Sequence, residues 1–472
     1  MDFLRRSSRA HQTPHRTAAS LAASVLTVSL AGGALTVAAS PAAAADRSGL
    51  PLQTQIVGGV WDGVRTVLDV PNPADDQSFY DVPEGADTAS LDPGTVLRER
   101  TFDYHVATLA TPLKVTQILY VTTNPRGVHE QNVTSVVHPP NGSDGNVISY
   151  QSIYDSANPA DNPSRAIAGN LSLGGLLPTV ETAIILPALM NGHPVVIADT
   201  EGRDADLAAG PAYGAATLDS LRAATAATTS PVTASDRIGL FGYSGGAIAS
   251  NWAAIRAADY APEIEERLIG VAQGGMLIDP QKNLSYAGDG LLWSGVVGLA
   301  LTALGDAYDV DFSRYLTPYG MTVTEDMRDL SIVESMARYP GLHWSDIAKP
   351  EYPTPQDAPE IKAIIDDINM GNWDAPHVPM FVFQGAAGWI EGTPASPTWG
   401  PGDGIMVAGD VRTIVRRYCA AGTPIEYREY PFASHVIAAA PWAVEGYLWL
   451  EARFNGRPAT NNCATVPRGN EL

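Results

Sequence analysis

The chain has 472 residues, 45% of them hydrophobic and 17% charged, which is a folded globular composition with room for one to three domains. A formal net charge of −22 repels phosphate backbones and argues against a nucleic-acid partner. The two cysteines form neither a CxxC pair nor a Cys/His cluster, so nothing points to a metal, and no cofactor is expected.

Residues 1–45 read as an export signal. Arg5, Arg6, Arg9 and Arg16 precede the apolar run Leu21 to Ala39, and Ala43-x-Ala45 fits a small-residue cleavage site before Asp46. The Arg5-Arg6 pair leaves both the twin-arginine and the general secretory route open. An exported chain with two cysteines predicts one disulfide, Cys419 to Cys463, and a secreted, extracellular protein.

Residues 46–100 are rich in Pro, Asp and Gly and predict an extended N-terminal arm. From Thr101, "TQILYVTTN", "NVTSVVHPP" and "NVISYQ" predict strands broken by turn residues. "HPVVIAD" (His193 to Asp199) is a short, wholly apolar run, as a strand covered on both faces should be. Helix (Ala215 to Ala227), strand ("DRIGLFG"), helix ("AIASNWAAIRAADYAPE") and strand ("RLIGVAQGG") follow. This alternation predicts an α/β fold with a mostly parallel sheet and helices on both faces. Residues 279–376 read as helical, a cap or lid inserted into the core formed by 101–278 and 377–472. The core resumes with "VPMFVFQG", "DVRTIVRRYCAAG", "PIEYREYPF" and "PWAVEGYLWLEARF".

Gly242-Tyr243-Ser244-Gly245-Gly246 falls between a predicted strand and a predicted helix. A serine raised on a sharp strand-to-helix bend needs small residues two positions to either side, and Gly242 and Gly246 supply them. Such a serine needs a base. After Ser244 the histidines are His343, His377 and His435. His343 falls in the insertion and His377 precedes a strand. His435 follows the last strand, where a base belongs. The acid that would orient it should follow "VPMFVFQG". Glu391, Asp403 and Asp410 lie there, and Asp279 follows the preceding strand. Flanking glycines favour Asp403.

Seven segments, "VIADTEG", "AATLDSLRAA", "GYSGG", "VPMFVFQG", "DGIMVAGDV", "RRYCAAG" and "YPFASH", make the chain resemble the secretory lipase family of the α/β-hydrolase superfamily, of the Candida antarctica lipase A and actinobacterial type. The resemblance spans roughly Thr101 to Cys463. It implies an α/β-hydrolase fold and hydrolysis of carboxylic esters, triacylglycerols among them, through an acyl-enzyme on Ser244. The acid of such lipases stands seven residues before an Asp-Val, the spacing of Asp403 to Asp410-Val411. "GWIEGTPASPTW" departs from the family as extra residues before that acid. By the same resemblance, Asp199-Thr200-Glu201-Gly202 contributes the Asp199 N–H to an oxyanion hole beside that of Gly245. An acyl-ester lipid, or a lipid interface, is then the expected partner. A secreted serine peptidase on the same fold, or a non-catalytic cell-surface binding protein, are the alternatives. The apolar run Leu291 to Gly305 is expected either to be the cap's own core or to line an acyl channel.

Overall fold

The computed structural model describes residues 49–472, and the expected signal segment lies outside them. Nine strands form one sheet: β1 (Val96–Val106), β2 (Leu109–Thr123), β3 (His129–Val137), β4 (Asn146–Gln151), β5 (Val195–Ala198), β6 (Arg237–Tyr243), β7 (Leu268–Gly274), β8 (Met380–Gly385) and β9 (Ile425–Tyr430). Their order is β1-β2-β3-β5-β4-β6-β7-β8-β9. β1, β2, β3 and β5 pair antiparallel in succession, and β5-β4-β6-β7-β8-β9 pair parallel.

Alternating side chains of the buried strands feed two cores. Val147, Val196, Leu240 and Met380 face the helices Gly210–Ala226, Gly245–Tyr260 and Ala408–Ala421. Ile148, Val195, Phe241 and Phe381 face Thr182–Met190 and His435–Phe454. The parallel strands all end at one edge of the sheet, where α/β folds place their sites.

Between β7 and β8 the chain forms helices whose apolar packing also takes in Leu50, Ala157, Leu207 and Ala209 from outside the insertion. The helix Ser294–Ala307 is central to them: Leu299 and Leu304 pack against Val323, Met327 and Ile347, while Leu301 packs with Ile332 and Ile361. Cys419 and Cys463 are disulfide-bonded, fastening the C-terminal tail to the helix Ala408–Ala421.

Residues 46–100 differ from the extended arm expected of them. Leu52–Leu68 is a helix and β1 begins at Val96. Gly58, Gly59 and Gly63 lower the intrinsic helix preference of that segment by about 1 kcal/mol each. Tertiary contacts outweigh them: Arg65 reaches Glu334 at 2.8 Å, and Asp62 takes Arg338 at 3.0 Å. The start of β1 carries no apolar alternation, because "LRER" puts charges on consecutive positions of an edge strand.

Candidate active site

β6 delivers Ser244 to the sheet edge at φ 57° and ψ −119°, a conformation costly for any residue with a side chain. The turn is closed by backbone contact. A Cβ on Gly242 would lie 2.1 Å from the Gly246 carbonyl oxygen, and one on Gly246 2.2 Å from that of Gln151. Tyr243 anchors the bend from below: it packs on Trp442, and its hydroxyl donates to the His435 carbonyl at 2.7 Å.

His435 opens the last long helix, immediately after the loop that follows β9. Its Nε2 lies 2.7 Å from Ser244 Oγ and its Nδ1 2.8 Å from Asp403 Oδ2. An ionised Asp403 only accepts, so Nδ1 carries the proton and Nε2 is left to accept from the serine hydroxyl. Asp403 is buried and held by three further donors: the N–H groups of Ile405 (3.1 Å) and Met406 (2.7 Å) and the Gln384 amide (3.1 Å). Burial alone would pull the His435 pKa down. The charge and hydrogen bond of Asp403, with Glu391 and Asp155 nearby, outweigh it, and the net shift is upward.

The other acids and histidines considered from the sequence have different partners. Glu391 accepts from the Trp293 indole at 2.8 Å and the Val436 N–H at 2.9 Å. Asp410 binds Asn470 at 2.8 Å and Lys282 at 3.4 Å. Asp279 caps the helix Pro280–Gly288. His343 precedes a short cap helix, and His377 is exposed beside Glu265.

Asp199 requires a correction. Its N–H donates to the Val133 carbonyl at 3.0 Å, which prolongs the β3–β5 ladder, and its carboxylate accepts from the Ser164 N–H and hydroxyl at 2.8 and 2.6 Å. That N–H is therefore spent and cannot serve an oxyanion beside Ser244. Asp155, in the loop after β4, lies beside Gly245 instead. Its Oδ1 lies 2.4 Å from where a Gly245 Cβ would be and is buried without a hydrogen-bond partner among the described residues. The N–H groups of Asp155 and Gly245 likewise donate to no acceptor among those residues. Burial pushes the Asp155 carboxyl up, against the opposing effect of His435, which favours its neutral, hydrogen-bond-donating form. Glu201 of the Asp-x-Glu-Gly turn stands behind this loop, accepting from the Ser156 N–H at 3.2 Å and the Tyr213 hydroxyl at 3.0 Å. The signal for Asp155 was positional: an acid just past the strand adjoining β6, at the carboxyl edge of the sheet.

From Ser244 a narrow apolar slot runs under the cap. Ile248, Val297, Ala300, Leu304, Ile365 and Ile368 line it, with Asp155 and Gly245 at the Ser244 end.

A doubly covered, largely parallel sheet with a serine raised on a strained strand-to-helix turn defines the α/β-hydrolase class. Residues 169–462 match the family model described as secretory lipase, and the chain belongs to that family. It is a secreted hydrolase of carboxylic esters. Lipase 6 of Candida albicans is 27% identical over 415 residues, covering 85% of this chain and 86% of that protein. A probable inactive lipase of Mycobacterium tuberculosis is 28% identical over 398 residues, covering 83% and 84%. The fold is like that of Candida antarctica lipase A in its closed state, with a TM-score of 0.71 at 22% identity over 85% of this chain and 91% of that one.

Proposed function

We propose that the chain is an active lipase that cleaves long-chain acyl esters, triacylglycerols among them, through a covalent acyl-serine. Family membership alone fixes neither the nucleophile nor the acyl chain, and one relative is described as a probable inactive lipase. What carries the reading is the unbroken chain from Ser244 Oγ to His435 Nε2 (2.7 Å) and from His435 Nδ1 to Asp403 (2.8 Å).

In this reading Ser244 Oγ attacks the ester carbonyl carbon while its proton passes to His435 Nε2. The carbonyl oxygen becomes negative between the N–H groups of Gly245 and Asp155 and the neutral Asp155 carboxyl, and donors of this kind are worth about 3 kcal/mol each in a dry site. The tetrahedral intermediate collapses, and the C–O bond to the alcohol breaks as His435 returns the proton to the leaving oxygen. Water then attacks the acyl-serine by the same route, releasing the acid and restoring Ser244. Asp403 holds the imidazole in the tautomer required and supports its charge. The acyl chain lies in the apolar slot, where each buried CH₂ contributes about 0.8 kcal/mol. A peptide there would leave its amides without partners. The test is covalent labelling. A fluorophosphonate should modify Ser244 in the native protein, and Ser244→Ala should lose both labelling and ester hydrolysis. Labelling of another residue with activity retained in Ser244→Ala would overturn the reading.

A further inference from the structure

The peptide that follows Asp155 is pinned at both ends. Its carbonyl accepts from the Ile332 N–H at 2.9 Å, and its N–H, that of Ser156, donates to Glu201 at 3.2 Å. The Ala157 N–H donates to the Leu330 carbonyl at 2.9 Å, so Ser156 and Ser331 pair as a short antiparallel bridge. The Ser156 hydroxyl donates to Asp161 at 2.6 Å. A planar peptide fixed at carbonyl and N–H leaves the Asp155 Cα little freedom, and with it the carboxyl beside Gly245. Two of these ties, those of Leu330 and Ile332, come from the insertion between β7 and β8 and not from the sheet.

The turn that supplies them is held by a buried charge. Ser331 caps the helix Ile332–Arg338, and Glu334 closes a capping box, its Oε2 accepting from the Ser331 N–H at 3.0 Å and hydroxyl at 2.9 Å. The Glu334 side chain has no exposed surface, and a carboxylate so buried depends on cations beside it. Arg338, on the same helix, supplies one at 3.2 Å. Arg65 supplies the other, 2.8 Å from Oε2, and donates as well to the Asp329 carbonyl. Arg65 belongs to the helix Leu52–Leu68, whose far end is fixed to the core. Val70 and Leu171 exchange backbone hydrogen bonds of 2.8 and 2.9 Å, and Asp69 accepts from the Leu173 N–H at 3.3 Å. Hydrogen bonds therefore run unbroken from Arg65 through Glu334 and the turn 329–332 to the Asp155 loop.

We propose that Arg65 is a positioning residue for ester cleavage. By clamping Asp329 and Glu334 it holds the turn 329–332 against the Asp155 loop and keeps the Asp155 donors in place beside Ser244. The N-terminal helix is thereby a working part of oxyanion stabilisation, although it lines no part of the slot. The proposal rests on the reading of Ser244 as nucleophile with Asp155 at the oxyanion. Donors displaced by loosening of the loop are lost to the transition state and not to the bound ester, so kcat falls while KM holds.

Turnover of p-nitrophenyl butyrate and the rate of Ser244 modification by a fluorophosphonate test this. Arg65→Met should lower kcat and the labelling rate at least fivefold, with KM within twofold. Arg65→Lys, which retains the cation, should stay within threefold of the native kcat. Ser331→Gly, which a helix N-cap tolerates, removes the hydroxyl held by Glu334 and should lower kcat about threefold at unchanged KM. Val60→Ser, at an exposed position of the N-terminal helix, should change nothing. Native kcat and labelling in a folded Arg65→Met, or in Ser331→Gly if Arg65→Met does not fold, would overturn the proposal. So would a risen KM at native kcat, an equal loss in Val60→Ser, or a Lys variant as slow as the Met one. A native protein that a fluorophosphonate leaves unlabelled at Ser244 would instead overturn the reading of Ser244, and the role of Arg65 with it.

Discussion

The Asp155 carboxyl lies against Gly245, 2.4 Å from where any side chain on that residue would begin. Gly245 is thus kept bare by the neighbouring acid, and Gly245→Ala should push Asp155 away from the site. A loss of kcat of about 100-fold is expected, in line with removal of one oxyanion donor, with the circular dichroism spectrum unchanged.

The same contact sets an alkaline limit. Burial raises Asp155 well above the usual carboxylate range, so the group passes from a neutral donor to a negative charge beside the developing oxyanion as pH rises. The profile of kcat/KM against pH should fall on its alkaline side. Asp155→Asn, which cannot ionise, should keep most of the activity at pH 7 and abolish that fall. A native profile flat to pH 10 would remove Asp155 from the oxyanion site.

Asp403→Asn should lower kcat by about 10⁴-fold, because an amide can stabilise the wrong imidazole tautomer and does not support the imidazolium. Glu391→Gln should cost far less, since Glu391 holds the Trp293 indole and the Val436 N–H and makes no bond to the His435 ring. Steady-state kinetics on a soluble ester would separate the two, and a larger loss at Glu391 would reverse the assignment.

The parts of the site that sequence exposed are those fixed by steric necessity. Ser244 stands out because the turn leaves no room for side chains at Gly242 and Gly246, and that requirement is written in residue type. His435 follows from chain order and a short choice of histidines. Asp199 misled because an oxyanion donor is a backbone N–H, present at nearly every residue. Whether it is free depends on the β3–β5 register, which brings Asp199 opposite Val133. Asp155 has no companion at fixed spacing, and its neutrality comes from burial, which sequence does not display. In the fold, strands buried on both faces read clearly. The Leu52–Leu68 helix did not, being held by partners more than 260 residues away, Glu334 and Arg338.

Stability should decline from mildly acidic to alkaline pH. Burial raises Glu181 and Asp199 to about 7, well above their unfolded values near 4. The folded state therefore binds more protons than the unfolded one between those limits, and stability is lost as pH rises through that window, by a few kcal/mol in sum. His193 acts in the same direction. Burial opposes its charge, but Glu451 (2.6 Å) and Asp144 (2.9 Å) raise it, so its contribution is complete below about 6.5 and disappears as pH climbs past the folded value. Below about 4.5 the order reverses, because lowered carboxylates such as Glu429 and Glu451 lose their partners on protonation. Thermal unfolding should show its highest midpoint in the mildly acidic range, near about pH 5, and a lower one at pH 8. Glu181→Gln should flatten the decline towards pH 8, and a midpoint rising from pH 5 to 8 would contradict the scheme.

Reduction of Cys419–Cys463 should destabilise without inactivating. The bridge closes a separation of 44 residues, and the chain-entropy model assigns such a loop about 4 kcal/mol. Cys463→Ser should unfold at lower denaturant concentration, with unchanged turnover at 25 °C. The disulfide joins the tail to a helix on the sheet face opposite the one that carries His435.

The slot and the cap core share the apolar run Leu291 to Gly305, and only some of its residues face the slot. Val297, Ala300 and Leu304 line the slot, whereas Leu301 is buried against Ile332 and Ile361 inside the cap. Substitutions at adjacent positions of one helix should therefore have different consequences. Ala300→Phe adds a ring to the slot wall without disturbing a packed interior, since Ala300 is only half-buried. It should reduce kcat/KM for palmitoyl esters at least tenfold and leave acetyl and butyryl esters within threefold, because a short chain ends before reaching the obstruction. Leu301→Ala should do the reverse. A cavity in the cap core should cost about 2–5 kcal/mol in stability with the chain-length profile unchanged. Assaying both variants on p-nitrophenyl esters from acetate to palmitate, alongside thermal melts, makes the comparison. An unaltered profile in a folded Ala300→Phe variant would mean that the acyl chain does not lie in this slot.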